Sequence, residues 1–209
     1  MSILQQLGEI NGTDKHDDNH RFSGKTYLDV YEEYFNTYRE SVTCMLEIGV
    51  LRGQSLKTWR DYFINAQIWG IDIDPIAKAD YGERINVITG SQIDESALKN
   101  VAPDQQFDII IDDGSHLVDH IIRSYELLWP RVKSGGYYVI EDLGCTYGDN
   151  TPLINIWPGQ NLNPPDTNFV NDRTKLNAFF IDIVHGIDAR KTNVRNISFT
   201  YSQCFIKKI

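Results

Sequence analysis

The segment Phe107-Asp-Ile-Ile-Ile-Asp112-Asp113-Gly-Ser-His116 constrains this chain more than any other. Its apolar run has the length of a strand, is bounded by turn residues and lacks polar alternation. That is the pattern of a strand buried on both faces of a parallel sheet. Such a strand delivers the residues at its end to the carboxyl edge of the sheet, where open α/β folds bind their ligands. Two adjacent carboxylates, a glycine turn and a histidine occupy that end here. A second run, Gly135-Gly-Tyr-Tyr-Val-Ile-Glu141-Asp142, also ends in paired acids. Two strands finishing this way point to one shared site with a metal as its expected occupant.

The flanking sequence supplies the rest of a sheet. Strands are predicted over Val42–Gly49, Ile68–Pro75 and Ile85–Gly90, with Pro75 unable to continue the second. Helices are predicted over Gly53–Phe63, Glu95–Val101 and Leu117–Val132. Alternation at this spacing means βαβ units and a parallel sheet with helices on both faces. After a last helix over Leu176–Val184, Val194–Tyr201 and Cys204–Ile206 read as adjacent strands joined by a tight connection. The expected fold is therefore α/β: a Rossmann-like, doubly wound, mostly parallel seven-stranded sheet with a terminal antiparallel hairpin. We expect a single domain over 1–209, with 1–40 as a leader and helix. Residues 1–25 are polar with little periodicity. Tyr27, Leu28, Val30, Tyr31, Tyr34, Phe35 and Tyr38 form an apolar stripe at helical spacing, read as packing, with a tyrosine covering a ligand as the alternative. Residues 143–171 hold four of the seven prolines and break the rhythm; a loop this long predicts a lid or substrate wall, with Trp157 and Phe169 as its apolar contacts.

The chain has 209 residues, 41% of them hydrophobic, enough to bury a core. A net charge of −9 and the lack of a Lys/Arg cluster argue against nucleic-acid binding through phosphates. No apolar run is long enough to span a bilayer, and the opening residues do not read as a secretory signal. Cys44, Cys145 and Cys204 are odd in number and lack metal-site spacing, as expected of reduced thiols in a cytoplasmic protein. The aromatic-rich N-terminal helix leaves a homo-oligomer open.

Leu46-Glu47-Ile48-Gly49-Val-Leu-Arg-Gly53-Gln-Ser55 places a glycine-bearing turn between the first strand and its helix. Such a turn admits a ligand close to the backbone, although a plain tight turn explains the same residues. Asp72, at the end of the second strand, is placed to accept hydrogen bonds from both ribose hydroxyls. The loop has no lysine for phosphates, and Glu47 would repel them. A nucleoside bearing an ammonium group fits better than a dinucleotide, and S-adenosylmethionine is such a ligand.

Leu-Glu-Ile-Gly-x-x-x-Gly-x-Ser, Gly-Ile-Asp-Ile-Asp-Pro, Gly90-Ser91-Gln92 and Phe-Asp-Ile-Ile-Ile-Asp-Asp resemble the successive motifs of class I S-adenosylmethionine-dependent methyltransferases. Within these, Asp-Asp-Gly-Ser-His followed by Val-Ile-Glu-Asp resembles the metal-dependent sugar O-methyltransferases of macrolide (mycinamicin-type) pathways and the related cephalosporin-hydroxylase-like group. Gly12-Thr-Asp-Lys15 and Tyr31-Glu-Glu-Tyr-Phe are similar to that group's leader. The resemblance implies that Glu47, Gly49, Gly53 and Ser55 line the methionine end of the cofactor. It implies Asp72 on the ribose, Ser91 and Gln92 beside the adenine, and Asp112 on the cofactor side or in a structural hydrogen bond. It assigns Asp113, Glu141 and Asp142 to Mg²⁺ or another divalent cation, at the separation the family pattern requires, and His116 to the general base.

These residue types suit that chemistry. A hard cation held by carboxylates lowers the pKa of a hydroxyl, and a histidine accepts its proton near neutrality. Clustered carboxylates repel without a cation; the plainer alternative is that Asp113 caps a helix. His120 reads as structural, as a substrate contact, or as the third member of an Fe(II) site with Asp113 and His116. His16 and His20 read as solvated or as part of an ordered leader. The expected function is a metal-dependent O-methyltransferase acting on a hydroxyl of a small molecule, a sugar or glycosylated natural product. The alternatives are an Fe(II)-dependent hydroxylase and a non-catalytic nucleoside-binding module.

Overall fold

The computed structural model describes residues 2–17, 24–74, 81–147, 171–200 and 202–209. The expectations for Pro75, His20, Tyr201 and most of the proline-rich loop, with Trp157 and Phe169, lie outside the described residues. Seven strands form one sheet: β1 (Cys44–Ile48), β2 (Gln67–Asp72), β3 (Ile85–Thr89), β4 (Phe107–Asp112), β5 (Val132–Ile140), β6 (Val194–Thr200) and β7 (Gln203–Lys208). Their order is β3-β2-β1-β4-β5-β7-β6. The first five run parallel, and β7 is antiparallel to both β5 and β6. The expected doubly wound sheet with its terminal hairpin is the fold found.

Among the described residues six α-helices flank the sheet: α1 (Ile3–Asn11), α2 (Tyr27–Phe35), α3 (Gln54–Tyr62), α4 (Glu95–Lys99), α5 (Val118–Leu128) and α6 (Arg173–Asp188). Helix α1 lies in the leader, which reads as polar with little periodicity. Its ends explain it: Ser2 accepts a hydrogen bond from Gln5 N–H, and Gly12 closes the other end in a left-handed conformation. Two caps and a narrow buried edge, Leu4 with Gln5 and Gly8, suffice for nine residues packed against α2 and α3. Helix α2 starts at a capping box in which Thr26 and Asp29 satisfy one another's backbone. Among the described residues no helix is long and apolar enough to cross a membrane.

Alternation along the strands divides the core in two. Leu46, Ile110 and Tyr138 face α5 and α6, where Ile121, Tyr125, Leu128 and Phe180 complete one cluster. Met45, Ile109, Ile111 and Val139 face α1, α2 and α3 and pack on Leu28, Tyr31, Phe35 and Trp59. The same alternation sorts the acids. Glu47 is in phase with Met45, and Glu141 with Val139, so both point toward the α1–α3 side. Asp112 is in phase with Ile110 and points the other way.

The strand order reverses between β1 and β4, which opens a crevice at their carboxyl ends. The two loops there are locked together. Asp113 N–H donates to Ile48 O at 3.0 Å, and Gly49 N–H donates to Ile71 O at 2.9 Å. Gly49 has φ +86°, and a Cβ there would lie 2.0 Å from the Asp113 carbonyl oxygen. No other residue fits both the conformation and the gap.

At the opposite edge, Asp108 Oδ2 accepts hydrogen bonds from Thr43 N–H (2.8 Å), Cys44 N–H (2.9 Å) and Lys133 Nζ (2.8 Å), tying the start of β1 to β4 and β5. Burial alone would raise its pKa, but Lys133 and the two amides outweigh it and hold the carboxyl below the usual range. A depressed folded-state pKa stabilises the fold above the unfolded value of about 3.9, and the contribution fades as pH falls through the folded value. Asp108→Asn should therefore cost about 1–3 kcal/mol in urea unfolding at pH 7, a gap that narrows in acid. Gly49→Ala should cost about 2–5 kcal/mol by the same measurement, combining left-handed strain with overpacking against Asp113.

Candidate active site

Every residue of β1 is buried, and Glu47 is fully so. An acid in that position opposes folding unless it is compensated. Ser55, on the first turn of α3, donates to Glu47 Oε2 at 2.7 Å, while Oε1 accepts no hydrogen bond. Burial pushes the Glu47 carboxyl up to about 7, with Lys15 partly offsetting it. Glu141 is sealed as well. Its Oε2 lies 2.5 Å from Lys15 Nζ, and its Oε1 accepts from Tyr31 O–H. Burial raises its pKa well above the usual range against the opposing pull of Lys15.

Asp113, His116 and Asp142 form a more open group. One ligand atom from each lies within 4.8 Å of the others, a donor set able to hold a metal ion. Their side chains keep 24%, 19% and 25% of their surface exposed, against 0% for Glu47 and 1% for Glu141. An incoming ligand meets the first three, while the other two back them. His116 Nε2 lies 3.8 Å from Asp142 Oδ2, and Tyr27 O–H donates to Asp142 Oδ1 at 2.7 Å. His116 (φ +55°) and Asp142 (φ +53°) both have left-handed backbones. Non-glycine residues in that region carry about 1–3 kcal/mol of strain each, which the surrounding hydrogen bonds must hold in place. Asp113 caps no helix: α5 begins at Val118 with Leu117 in the cap position.

The remaining candidates divide between the crevice and the far face. Asp72 Oδ2 accepts from Val50 N–H (2.7 Å) and Leu51 N–H (3.0 Å), so its carboxylate shapes the glycine loop between Gly49 and Gly53. Gly53 is left-handed and lies against the ring of Tyr81. Ser91 stands at the end of β3, where its hydroxyl accepts from Ile93 N–H at 3.4 Å. Gln92 is buried; it donates to Asp112 Oδ1 at 3.0 Å and accepts from Ser115 N–H at 2.8 Å. Asp112 Oδ2 takes Ser124 O–H (2.5 Å) and Tyr138 O–H (3.0 Å). Asp112 and Gln92 thus form a polar knot beneath the loop that carries Asp113 and His116. The adjacent aspartates are separated by the pleat of β4.

His120 Nδ1 lies 2.9 Å from Ser115 Oγ, and burial lowers its pKa. It is not part of the metal-competent group. His16 Nδ1 is held by the Thr13 carbonyl in the leader. Three further side chains reach the acid cluster without having been assigned a role in the sequence: Lys15 and Tyr31, which belong to the leader segments quoted above, and Tyr27. The two tyrosines are four residues apart on one face of α2, so a single helix face carries both hydroxyls to the acid cluster. Burial and the nearby carboxylates raise the pKa of both, which keeps them hydrogen-bond donors.

Residues 46–143 match a family described as a methyltransferase domain. The chain is 40% identical over 129 residues to a tetracenomycin-pathway 3'-O-methyltransferase of Streptomyces olivaceus, covering 58% of this chain and 33% of that protein. It is 39% identical over 138 residues to the mycinamicin VI 2''-O-methyltransferase of Micromonospora griseorubida, covering 62% and 32%. Among solved structures, the MycE methyltransferase of the mycinamycin pathway, in complex with Mg and SAH, superposes with a TM-score of 0.73 at 30% identity, covering 99% of this chain and 55% of that one. The matched segments span about a third of the length of the curated relatives. The strand order, the glycine loop, the acids at two neighbouring strand ends and these matches converge: residues 46–143 match a methyltransferase domain, and the chain is similar to O-methyltransferases of macrolide and polyketide sugar pathways.

Proposed function

We propose that this chain transfers a methyl group from S-adenosylmethionine to a hydroxyl of a small molecule, a sugar or glycosylated natural product, with the help of a divalent cation. The observation that carries this reading is the convergence of Asp113, His116 and Asp142 beside the glycine loop of β1. The solved relative with Mg, SAH and mycinamycin VI supports the same substrate class. We also take residues 1–40 to belong to the same domain as the sheet, since α1 packs on α2 and α3.

The residues present fit both groups. Asp113 and Asp142 would supply hard oxygen donors for a cation such as Mg²⁺, and Glu141, buried behind them with its oxygens on Lys15 and Tyr31, would join them only by exchanging Lys15 for the cation. Glu47 Oε1 is buried and accepts no hydrogen bond although Lys15 Nζ lies 3.6 Å away, so it keeps acceptor capacity that a methionine ammonium would use. When bound, the cation lowers the pKa of a coordinated hydroxyl and the cofactor offers an electrophilic methyl. The remaining work falls to the protein's own residues. His116 takes the hydroxyl proton as the acceptor oxygen bonds to the methyl carbon and the carbon–sulfur bond breaks. The charge formed on the imidazole is countered by Asp142, 3.8 Å away. Tyr27 keeps Asp142 in place, and the glycine loop would line the cofactor's binding place beside the acids. The balance is one ether formed, one sulfonium neutralised and one proton held on His116.

The Fe(II)-hydroxylase alternative needs His120 beside Asp113 and His116. Asp142 stands in that place instead, and His120 is engaged with Ser115.

Incubation with methyl-labelled cofactor and a panel of glycosides and catechols should give a product heavier by one methyl group. The signal should vanish with a chelator and return with Mg²⁺. Transfer indifferent to the chelator would remove the metal from the reaction, and no transfer to any hydroxyl would remove the activity. His116→Ala should retain S-adenosylhomocysteine binding by calorimetry and lose about 10²–10⁴-fold in turnover. Unchanged turnover would exclude His116 as the base.

A further inference from the structure

Lys15 belongs to none of the strand-end motifs, yet it ends at the centre of the acid cluster. Its Nζ lies 2.5 Å from Asp113 Oδ2, 2.5 Å from Glu141 Oε2 and 3.6 Å from Glu47 Oε1, with 4% of the side chain exposed. Each of these acids leaves a different strand of the sheet, β1, β4 or β5. One ammonium group therefore ties three strand ends together.

The leader is built to deliver it. Gly12 turns the chain at the end of α1, and the short turn Asp14–His16 comes directly after. Gln5 then fixes that turn from α1. It donates to His16 O at 2.9 Å, while its own carbonyl accepts from Thr26 O–H at 2.8 Å. A lysine buried this deeply is costly to the fold unless its charge is compensated, and an apolar residue would serve packing at least as well. Its place at the crossing of three acids points to the acids rather than to the core.

We propose that Lys15 is a positioning residue of this site, whose ammonium group holds Asp113 and Glu141 together before a divalent cation arrives and lowers that cation's affinity by like-charge proximity. The proposal rests on the metal-dependent reading above and extends it to the leader. Asp113 and Glu141 are the acids a cation would share, and Lys15 is already on one oxygen of each. Removing its charge leaves those carboxylates repelling one another and more attractive to a dication.

The test is Mn²⁺ titration by calorimetry on the wild type, Lys15→Met and Lys15→Arg, with thermal melts in chelator and in Mn²⁺. Lys15→Met should bind Mn²⁺ about tenfold more tightly or better, the equivalent of one pKa-sized electrostatic step. It should melt lower in chelator, and Mn²⁺ should raise its melting temperature further than that of the wild type. Lys15→Arg should restore wild-type behaviour. In chelator alone, Glu141→Gln combined with Lys15→Met should lose less than the sum of the two single changes, because one repelling charge has gone. Unchanged or weaker Mn²⁺ binding in Lys15→Met, or simple additivity in the double variant, would overturn the proposal. If the wild type bound no Mn²⁺, the metal reading would fall by itself. The chelator-only comparison would still decide the role of Lys15, with coupling supporting it and additivity refuting it.

Discussion

Concentrating negative charge at one edge of a sheet is the constraint on which the rest of this structure depends. Glu47, Asp113 and Glu141 leave three neighbouring strands within reach of a single ammonium, that of Lys15, and Asp142 lies beside them against His116. Carboxylates this close, two of them sealed from water, repel one another strongly at low dielectric. Lys15 supplies one positive charge, and Tyr27 and Tyr31 supply donors to the two acids that end β5. The remaining negative charge favours a cationic occupant, as the proposed function requires. The N-terminal leader, which forms no part of the sheet, is thereby bound to the chemistry of the sheet's edge.

The pleat does the sorting. In β4 one step along the chain separates a residue locked under the loop from one open to the crevice. Asp112 is held by Gln92, Ser124 and Tyr138, and this knot fixes the base of the turn. Asp113 can then occupy the switch point between β1 and β4, its amide on Ile48 and its carbonyl against Gly49. Left-handed conformations at His116 and Asp142 aim both side chains at the same point. Rigid scaffold below and strained, partly open residues above is the arrangement expected where geometry must be held against its own preference.

Much of this was legible in the sequence because apolar runs ending in acids carry both the strand and its edge. The sheet, its terminal hairpin and the meeting of Asp113 with Asp142 came from that pattern. Other features were not legible, for physical reasons. Helix α1 does carry apolar residues at helical spacing, Ile3, Leu4, Leu7 and Ile10, but it spans only nine residues at the start of a polar leader, too short a run to stand out. Lys15 reaches the site through a turn whose direction depends on Gly12 and Gln5, which no local pattern encodes. The hydroxyls of Tyr27 and Tyr31 were hidden inside a stripe that reads as packing, and Tyr31 does pack, edge-on to Trp59 and Phe205. Gln92 and Asp72 carry motif positions, yet their side chains here hold backbone and neighbouring loops in place.

The central claim is that the acids at the ends of β4 and β5 form a cation seat next to the β1 glycine loop. Crystals grown with Mn²⁺ and S-adenosylhomocysteine, measured for anomalous scattering at the manganese edge, test it most directly. The account predicts one strong peak within coordination distance of the Asp113 and Asp142 carboxylates, on the side of the crevice that faces the bound cofactor. A peak elsewhere on the chain, or none at that position with the cofactor in place, would contradict it.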